Sequence, residues 1–467
     1  MVFDKVFQQF VEKSPVSVMF RGTLENVFSA RRLDAIFAST AVRQHVGPLL
    51  FSTCAELLSQ VVLSSRKSVN AAYQARQDEM KTSKKAVYAK LAGIEPFVSE
   101  RLVRDTARSL ATVVDELDAA VEGPLPGFDV RIVDGNHLSG TDHRLAELRR
   151  LGAAALPGQT LAILDPQRRL IEDVVTCEDG HANERTMIPY LLELVRSGQC
   201  WLADSLFCTC AFIFGVAARK AFFVIRQHGG TKGRLIGKRK KIGRCSTGVV
   251  YEQDMVLQDR DGSELTLRRI TIMRDKPTAN GEMEVHLLTN LPAKVTAVKA
   301  AEAYLDRWQI ENAFQDVTTT LRCEINTLGY PKAALFGFCL ALTLFNAMSV
   351  VKAAMRAGAK NNPDPKRKLS SYYIADEVAG TWRGMEIAIA KPHWEEAFAK
   401  LTPKQLAAKL QWLARNVDLK RFYTNSWTPK RPQPKRISGQ RGNHVSTHNI
   451  LLKRAEQAAS KRTKTTK

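Results

Sequence analysis

The sequence predicts an α/β protein whose strands lie between two helical regions. Residues 1 to about 125 place apolar residues at helical spacing. The pattern changes at Pro124, after which the apolar segments are short, rich in β-branched residues and bounded by turn residues. Helical spacing returns over 371–417. We therefore expect a sheet in the middle of the chain and helices on both sides of it.

The strand region has a definite order of elements. Segments 128–134, 159–165 and 168–176 predict three strands, and Pro166-Gln167 predicts a hairpin between the second and the third. A helix then ends before Gly198. The elements that follow are a fourth strand over 199–204, a helix over 205–220 and a fifth strand over 221–226.

A late helix completes the pattern. Residues 229–284 predict a β-rich insertion with Gly-rich turns, and 285–289 returns to a strand. Residues 295–321 predict one long helix whose apolar side carries Leu305, Trp308, Phe314 and Val317. Three strands, a helix, a strand, a helix, a strand and a late helix are the order of a ribonuclease H-like fold. We predict that fold for 126–228 and 285–352.

The formal charge is strongly positive. The 69 Lys and Arg exceed the 47 Asp and Glu by 22, and the pI is near 9.7. Such an excess favours nucleic acid or an anionic surface as a partner. Ten cations and no acid lie between Asp204 and Glu252, and the tail 420–467 has 13 cations and one acid, so these two segments account for the whole excess. The rest of the chain is close to neutral.

The helical region at 1–125 is a candidate DNA-binding region. Lys84 to Leu91 and the helix with Arg101, Arg104 and Arg108 could form a helix-turn-helix, but plain helical packing explains the pattern equally well. The remaining parts are the helical region 371–417 and the basic tail 420–467.

Residues 333–351 carry no charge over a length that spans a bilayer. The run contains Thr343, Asn346 and Ser349, and lysines on both sides give no orientation bias. We therefore expect a helix buried in a large core, and no membrane partner.

Three acids fall where a ribonuclease H-like fold brings them together. Asp134 ends the first predicted strand and Asp204 the fourth, and these strands are neighbours in that fold; Glu311 lies on the late helix, which packs across the sheet. Crowded carboxylates are protonated or bind cations, and Mg²⁺ prefers such oxygen ligands. We predict two Mg²⁺ ions here, with Mn²⁺ as a substitute, and phosphodiester hydrolysis or transesterification as the reaction class.

Each acid also has a structural alternative. Asp134-Gly135 could be a type I′ turn. Asp204 could be only an N-cap, and Glu311 could be only the partner of Arg307 four residues earlier. Their joint occurrence favours a catalytic role, but the sequence leaves the alternatives open.

Tyr304, Arg307 and Glu311 resemble the first three members of the Y-x2-R-x3-E-x6-K signature of DDE transposases from bacterial insertion sequences, the cut-and-paste group. Asp134-Gly-Asn and Asp204-Ser-Leu-Phe resemble the first two acid motifs of that family. The resemblance covers about residues 128–350. It departs at Thr318, where the family has lysine; Arg322, one turn further along the predicted helix, is a candidate replacement.

The resemblance implies cleavage at element ends and strand transfer into target DNA by a homodimer bound to DNA. It implies that the three acids are catalytic metal ligands and that Tyr304 and Arg307 hold DNA phosphates. A bacterial cytoplasmic, nucleoid-associated location follows. A structure-selective nuclease without joining and a catalytically silent, transposase-derived DNA-binding protein are the alternatives.

The basic segments supply further DNA-binding candidates, for which a solvated loop and a disordered tail are the alternatives. In addition to Arg322, these candidates are Lys238, Arg239, Lys240 and Lys241 in the insertion and Lys430, Arg431, Lys435 and Arg436 in the tail.

Overall fold

Within the residues that the structure describes, nine strands form a single sheet. The computed structural model describes residues 5–138, 157–278, 280–358 and 367–424. The strands are β1 (Asp129–Leu138), β2 (Gly158–Asp165), β3 (Leu170–Cys177), β4 (Gln199–Ala203), β5 (Phe222–Arg226), β6 (Arg234–Cys245), β7 (Gly248–Gln258), β8 (Glu264–Arg274) and β9 (Glu284–Thr289). Their order across the sheet is β3-β2-β1-β4-β5-β9-β8-β7-β6.

The first five strands confirm the predicted fold class. β1 pairs with β2 antiparallel and with β4 parallel, β2 and β3 form the expected hairpin, and β4 pairs with β5 parallel. This is the strand order of a ribonuclease H-like fold. Every residue of β2 and β4 is buried, as expected for central strands that are covered on both faces.

The β-rich insertion extends the same sheet. β9 pairs antiparallel with β5, and β8, β7 and β6 continue outward as an antiparallel meander. β6 is therefore an edge strand, and it is exposed along almost its whole length.

Helices surround the sheet. Among the described residues, seven precede it: α1 (Lys5–Lys13), α2 (Pro15–Val27), α3 (Ala30–Thr40), α4 (Phe51–Val62), α5 (Val69–Gln74), α6 (Lys84–Gly93) and α7 (Pro96–Glu116). The others are α8 (Ile188–Leu194), α9 (Cys210–Ala218), α10 (Ala297–Leu305), α11 (Trp308–Thr320), α12 (Pro331–Gly358), α13 (Ser371–Ala388), α14 (Lys391–Trp394) and α15 (Pro403–Ala414).

α7 packs against β3. Arg104 donates two hydrogen bonds to Asp173 of β3, at 2.6 and 3.2 Å, and Glu100 accepts from the backbone and hydroxyl of Thr176. These contacts agree with helical packing as the explanation for the basic pattern of α7.

α12 contains the uncharged run and lies inside the protein. It is long and apolar enough to span a membrane, and its most apolar stretch has a mean hydropathy of 2.0. That stretch is fully buried inside the protein. Asn346 is completely buried on this helix, where its Oδ1 accepts from the Ile171 N–H and its Nδ2 donates to the Ile171 carbonyl, both at 2.8 Å. One side-chain amide thus satisfies both backbone groups of a β3 residue and joins α12 to the sheet.

The prediction of one helix over 295–321 is wrong, because the structure has two helices there. α10 ends at Leu305 and α11 begins at Trp308. At the break the backbone N–H of Arg307 donates to Tyr304, three residues earlier, instead of four. Trp308 is 60% exposed and so does not lie on an apolar face, whereas Phe314 and Val317 are buried as predicted.

We expect Asn346→Leu to lower the free energy of unfolding by about 3 kcal/mol, because it leaves the Ile171 N–H and C=O buried without partners. Thr343→Val is the matched control, since the Thr343 hydroxyl donates only to Cys339 of its own helix; we expect a loss below about 1 kcal/mol. Chemical denaturation measures both. Equal losses would contradict the role given to Asn346.

Candidate active site

The sequence predicts that Asp134 ends the first strand. In the structure it lies within β1, which continues to Leu138. It pairs with Ala162, and Gly135 pairs with Leu161, so the type I′ turn alternative is excluded. The parallel pairing of β1 with β4 runs from Asp129↔Gln199 to Ile132↔Leu202, an offset of 70 residues. The same offset aligns Asp134 with Asp204, which directly follows β4.

Asp204 is an N-cap, as its structural alternative proposed. Its Oδ1 accepts a hydrogen bond from the Leu206 N–H at 2.8 Å and caps the 3₁₀ turn Ser205–Phe207. Within the described residues, its Oδ2 has no hydrogen-bond donor. The capping role and a place in the site are therefore compatible.

Arg307 joins the other two predicted acids. Its Nη1 lies 3.1 Å from Asp134 Oδ2, and its Nη2 lies 2.7 Å from Glu311 Oε1. The i−4 pairing proposed as the alternative for Glu311 is thus present, and the same guanidinium brings Glu311 to Asp134. Burial raises the pKa of Asp134 to about 6, although Arg307 acts in the opposite direction.

Tyr304 completes this group of motif residues. It is 9% exposed, as core packing predicts, and its ring centre lies 5.9 Å from the guanidinium carbon of Arg307. Burial raises the pKa of its hydroxyl, and Arg307 lowers it. The structure therefore brings Tyr304, Arg307, Glu311 and Asp134 together despite the break in the helix.

Glu184 is a further carboxylate at this site, and sequence reasoning missed it. It begins a 3₁₀ turn between β3 and α8, and a Cβ on Gly135 would lie 2.3 Å from its Oε1, so a side chain at position 135 would displace it. Burial and nearby Asp204 raise its pKa. Its Oε2 is buried and has no hydrogen-bond partner among the described residues. The available signal was an acid that begins the helical segment after the third strand.

Thr318, where the family signature has lysine, and its candidate replacement Arg322 do not lie on one helical face. The Thr318 hydroxyl bonds to the carbonyl of Phe314 at 3.0 Å, within its own helix. α11 ends at Thr320, so the expectation that Arg322 continues this face is wrong. Arg322 is exposed and donates from Nη1 to the Lys67 carbonyl at 3.0 Å. Its role in DNA binding stays a prediction.

The basic residues of the insertion lie on the edge strand β6. Arg239 pairs with Glu284 at 2.6 Å and stacks on Tyr251 at 4.6 Å. The three lysines at 238, 240 and 241 are exposed and have no ion pair within the described ranges. Lys430, Arg431, Lys435 and Arg436 lie outside the described residues.

The acids fit a divalent cation in chemical type but are not assembled as a metal cage. In the described parts of the chain, no group of three or more His, Cys, Asp or Glu side chains is placed to hold a metal ion. The Arg307 guanidinium stands between Asp134 and Glu311, where it supplies the positive charge. Carboxylate oxygens are the ligands that Mg²⁺ prefers, and the unpartnered Oε2 of Glu184 adds another such donor nearby.

Comparison with known proteins identifies this part of the chain. Residues 126–345 match the family model for the transposase DDE domain. The chain carries a transposase DDE domain. "Putative transposase y4zB" of Sinorhizobium fredii is 31% identical to this chain over 172 residues, which are 36% of this chain and 45% of that relative. The chain thus spans just under half the length of its curated relative.

A solved structure of a transposase is also similar. The cryo-EM structure of a piggyBac transposase synaptic complex with hairpin DNA matches with 11% identity and a TM-score of 0.43, over 81% of this chain and 84% of that one. The fold assignment rests on the strand order of the DDE domain itself.

We expect Asp134→Asn to increase the stability of the metal-free protein more at pH 7.5 than at pH 5, by about 1 kcal/mol. Since the pKa of Asp134 is raised to about 6 in the fold, the folded state keeps a proton that the unfolded chain loses, and wild-type stability falls as pH rises from about 4 to 6. Asparagine does not titrate, so Asp134→Asn removes this dependence of stability on pH. Thermal unfolding in a chelating buffer measures it.

The control is Asp376→Asn, which makes the same exchange at an exposed position on α13. A gain from Asp134→Asn that does not change between the two pH values would contradict the raised pKa.

Proposed function

We propose that this protein is a DNA transposase of the Y-R-E signature group that cleaves at the ends of a mobile element and joins them to target DNA. One observation carries the proposal: in a transposase DDE domain, Arg307 connects Asp134 of β1 with Glu311 of α11 and packs beside Tyr304. The motif residues thus meet at one place, although 173 residues separate Asp134 from Arg307.

Asp134, Asp204 and Glu311 would hold the divalent ions, Mg²⁺ or Mn²⁺. When bound, these ions activate the attacking water or 3′-hydroxyl and stabilise the leaving oxygen. For the acids to serve as ligands, Asp134 has to lose its proton and Arg307 has to leave both carboxylates. The released guanidinium is suited to a DNA phosphate, because its planar donors match two phosphate oxygens.

The surroundings of Arg307 offer DNA contacts of two kinds. Tyr304 supplies a hydroxyl, and Trp308, exposed next to Arg307, supplies an aromatic face on which a base can stack. The lysines of β6 offer phosphate contacts at the sheet edge. Lysines on an edge strand also prevent strand addition, so their DNA role needs its own test. Arg322 and the basic tail are further proposed contacts.

Transposition at two ends requires two active sites, so we propose a homodimer on DNA. α13 and α15 are the candidate pairing region, and the proposed location is the bacterial nucleoid in the cytoplasm. One observation favours the silent DNA-binding alternative: position 318, where the family signature has lysine, holds an uncharged threonine whose hydroxyl donates to the Phe314 carbonyl of α11. Catalysis therefore has to be measured directly.

We expect Asp134→Asn, Asp204→Asn and Glu311→Gln each to reduce Mg²⁺-dependent cleavage and joining of element-end DNA by at least about a thousandfold, because each removes a proposed ligand. Asp376→Asn should retain activity. Gel assays of nicking and strand transfer measure both steps, and anisotropy confirms that the variants still bind DNA.

Activity that persists in Asp134→Asn would disprove the assignment. Cleavage without joining in the wild type would favour the nuclease alternative. DNA binding without either step would favour the silent protein.

We further expect Glu184→Gln to weaken Mn²⁺ binding about tenfold, as loss of an outer ligand partner does in other metal sites. Gly135→Ala should have the same effect, because its methyl group would displace the Glu184 carboxylate. Electron paramagnetic resonance of free Mn²⁺ measures the affinity without reference to catalysis. Glu193→Gln, on the exposed side of α8, is the matched control. Equal affinity in all three variants and the wild type would exclude Glu184 from the site.

A further inference from the structure

A cationic cavity lies beside α11, on the side opposite Glu311. We call it the α11 groove; it has a volume of about 620 Å³ and lies between the β2–β3 turn, α11, α12 and residues 368–369. Its cationic lining is Arg169 of the turn, Lys352 and Arg356 of α12, and Lys368. By the helical period, Gln309, Asn312 and Asp316 of α11 face this groove and not the carboxylate site.

Two arginines of the groove have no acidic partner within the part of the chain that the structure describes. Arg356 is partly buried, and neither it nor Arg169 forms an ion pair with a described residue. Burial and the neighbouring Arg169 lower the pKa of Arg356 to about 10. Arg169 also acts on Lys352 in the same direction. Three cations therefore repel one another in one cavity.

The acids of the groove do not balance these two arginines. Asp316 is engaged by the Lys352 ammonium at 3.4 Å and by the Ser371 hydroxyl. Asp306 and Glu122 line the groove as well, but among the described residues neither forms an ion pair with Arg356 or Arg169. Arg169 is exposed at the mouth of the groove, whereas Arg356 is partly buried, where a cation is costly unless an anion joins it.

The backbone of Arg169 gives an independent indication. Its φ is +58°, in the left-handed region that favours glycine or asparagine at a tight turn. An arginine at this position keeps a strained backbone and a guanidinium at the mouth of the groove. Strain of this kind persists mainly where a side chain has a function.

We propose that the α11 groove binds the phosphodiester backbone of DNA through Arg169 and Arg356. This inference rests on the proposed function, because it takes DNA as the substrate. A phosphate supplies the missing negative charge, and guanidinium groups bind its oxygens in pairs. Because the groove and Glu311 share α11, a strand held here is fixed relative to the helix that carries the catalytic acid.

The test is the double variant Arg169→Asn with Arg356→Gln. We expect its affinity for element-end duplex to fall about tenfold at low salt, and the slope of log K against log salt to decrease by about two. We expect its thermal stability to be unchanged or higher, since asparagine tolerates the positive φ and the repulsion is removed. A structural role for the arginines would instead lower stability.

The matched control is Arg383→Gln with Arg415→Gln, which removes the same charge from exposed positions outside the groove, one on α13 and one in the turn after α15. It should change the salt slope by less than about half a unit. Wild-type affinity and slope in the groove variant would overturn the proposal, as would a loss of stability that parallels the loss of affinity. A further pair of results would also overturn it: inorganic phosphate raises the thermal stability of the wild type, and the groove variant binds DNA as the wild type does. The groove would then be a site for a free anion.

Measuring DNA cleavage by the wild type and DNA binding by the groove variant distinguishes a failure of this inference from a failure of the proposed function. At DNA concentrations below the wild-type Kd, the groove variant should cleave about tenfold more slowly than the wild type, in proportion to its weaker binding. If the wild type cleaves and the groove variant binds DNA normally, the groove proposal alone fails. If the wild type never cleaves while the groove variant binds DNA weakly, the proposed catalysis fails and the groove stands.

Discussion

The ion pairs of Arg307 with Asp134 and Glu311 are the constraint on which the rest of the site depends. Asp134 lies on a buried strand, where an isolated carboxylate would be costly. Arg307 offsets part of that cost, and it reaches Asp134 from a break between two helices. The break directs the guanidinium to the sheet, while Trp308 is left exposed. The break between α10 and α11, the charge balance of the site and the convergence of the motif residues are therefore all linked to Arg307.

The charge of the protein is organised by the same balance. In the sequence, the segment between Asp204 and Glu252 has ten cations and no acid. In the fold, β9 and the connection that precedes it supply acids to this segment: Glu284 pairs with Arg239, Asp275 with Arg244 and Glu282 with Arg226. The exposed lysines of β6 keep their positive charge. The α11 groove shows the opposite case, because Arg169 and Arg356 form no ion pair with a described residue.

The sequence was a good guide to the strands and a poorer guide to the late helix. Strand order, the β2–β3 hairpin and the buried α12 follow from apolar periodicity and turn residues, which are local. The prediction of a single helix over 295–321 was wrong because helical spacing continues through Asp306 and Arg307, whereas in the fold Arg307 lies at a break and bonds to Asp134 of the first strand, which is distant in sequence. The structural alternatives were also correct: Asp204 is an N-cap and Glu311 pairs with Arg307. Both roles are compatible with a place in the site.

Apolar periodicity, turn residues and motif spacing were sufficient for the ribonuclease H-like core and for the acids and basic residues of the motif, because those signals lie in neighbouring positions of the chain. Three features became visible in the folded protein: the closeness of Glu184 to Gly135, the bridge made by Arg307, and the two arginines of the α11 groove that pair with no acid in the described ranges. Each depends on burial and on charges that are distant in sequence. Electrostatic energy is set by distance in space, and the packing of helices against the sheet determines that distance.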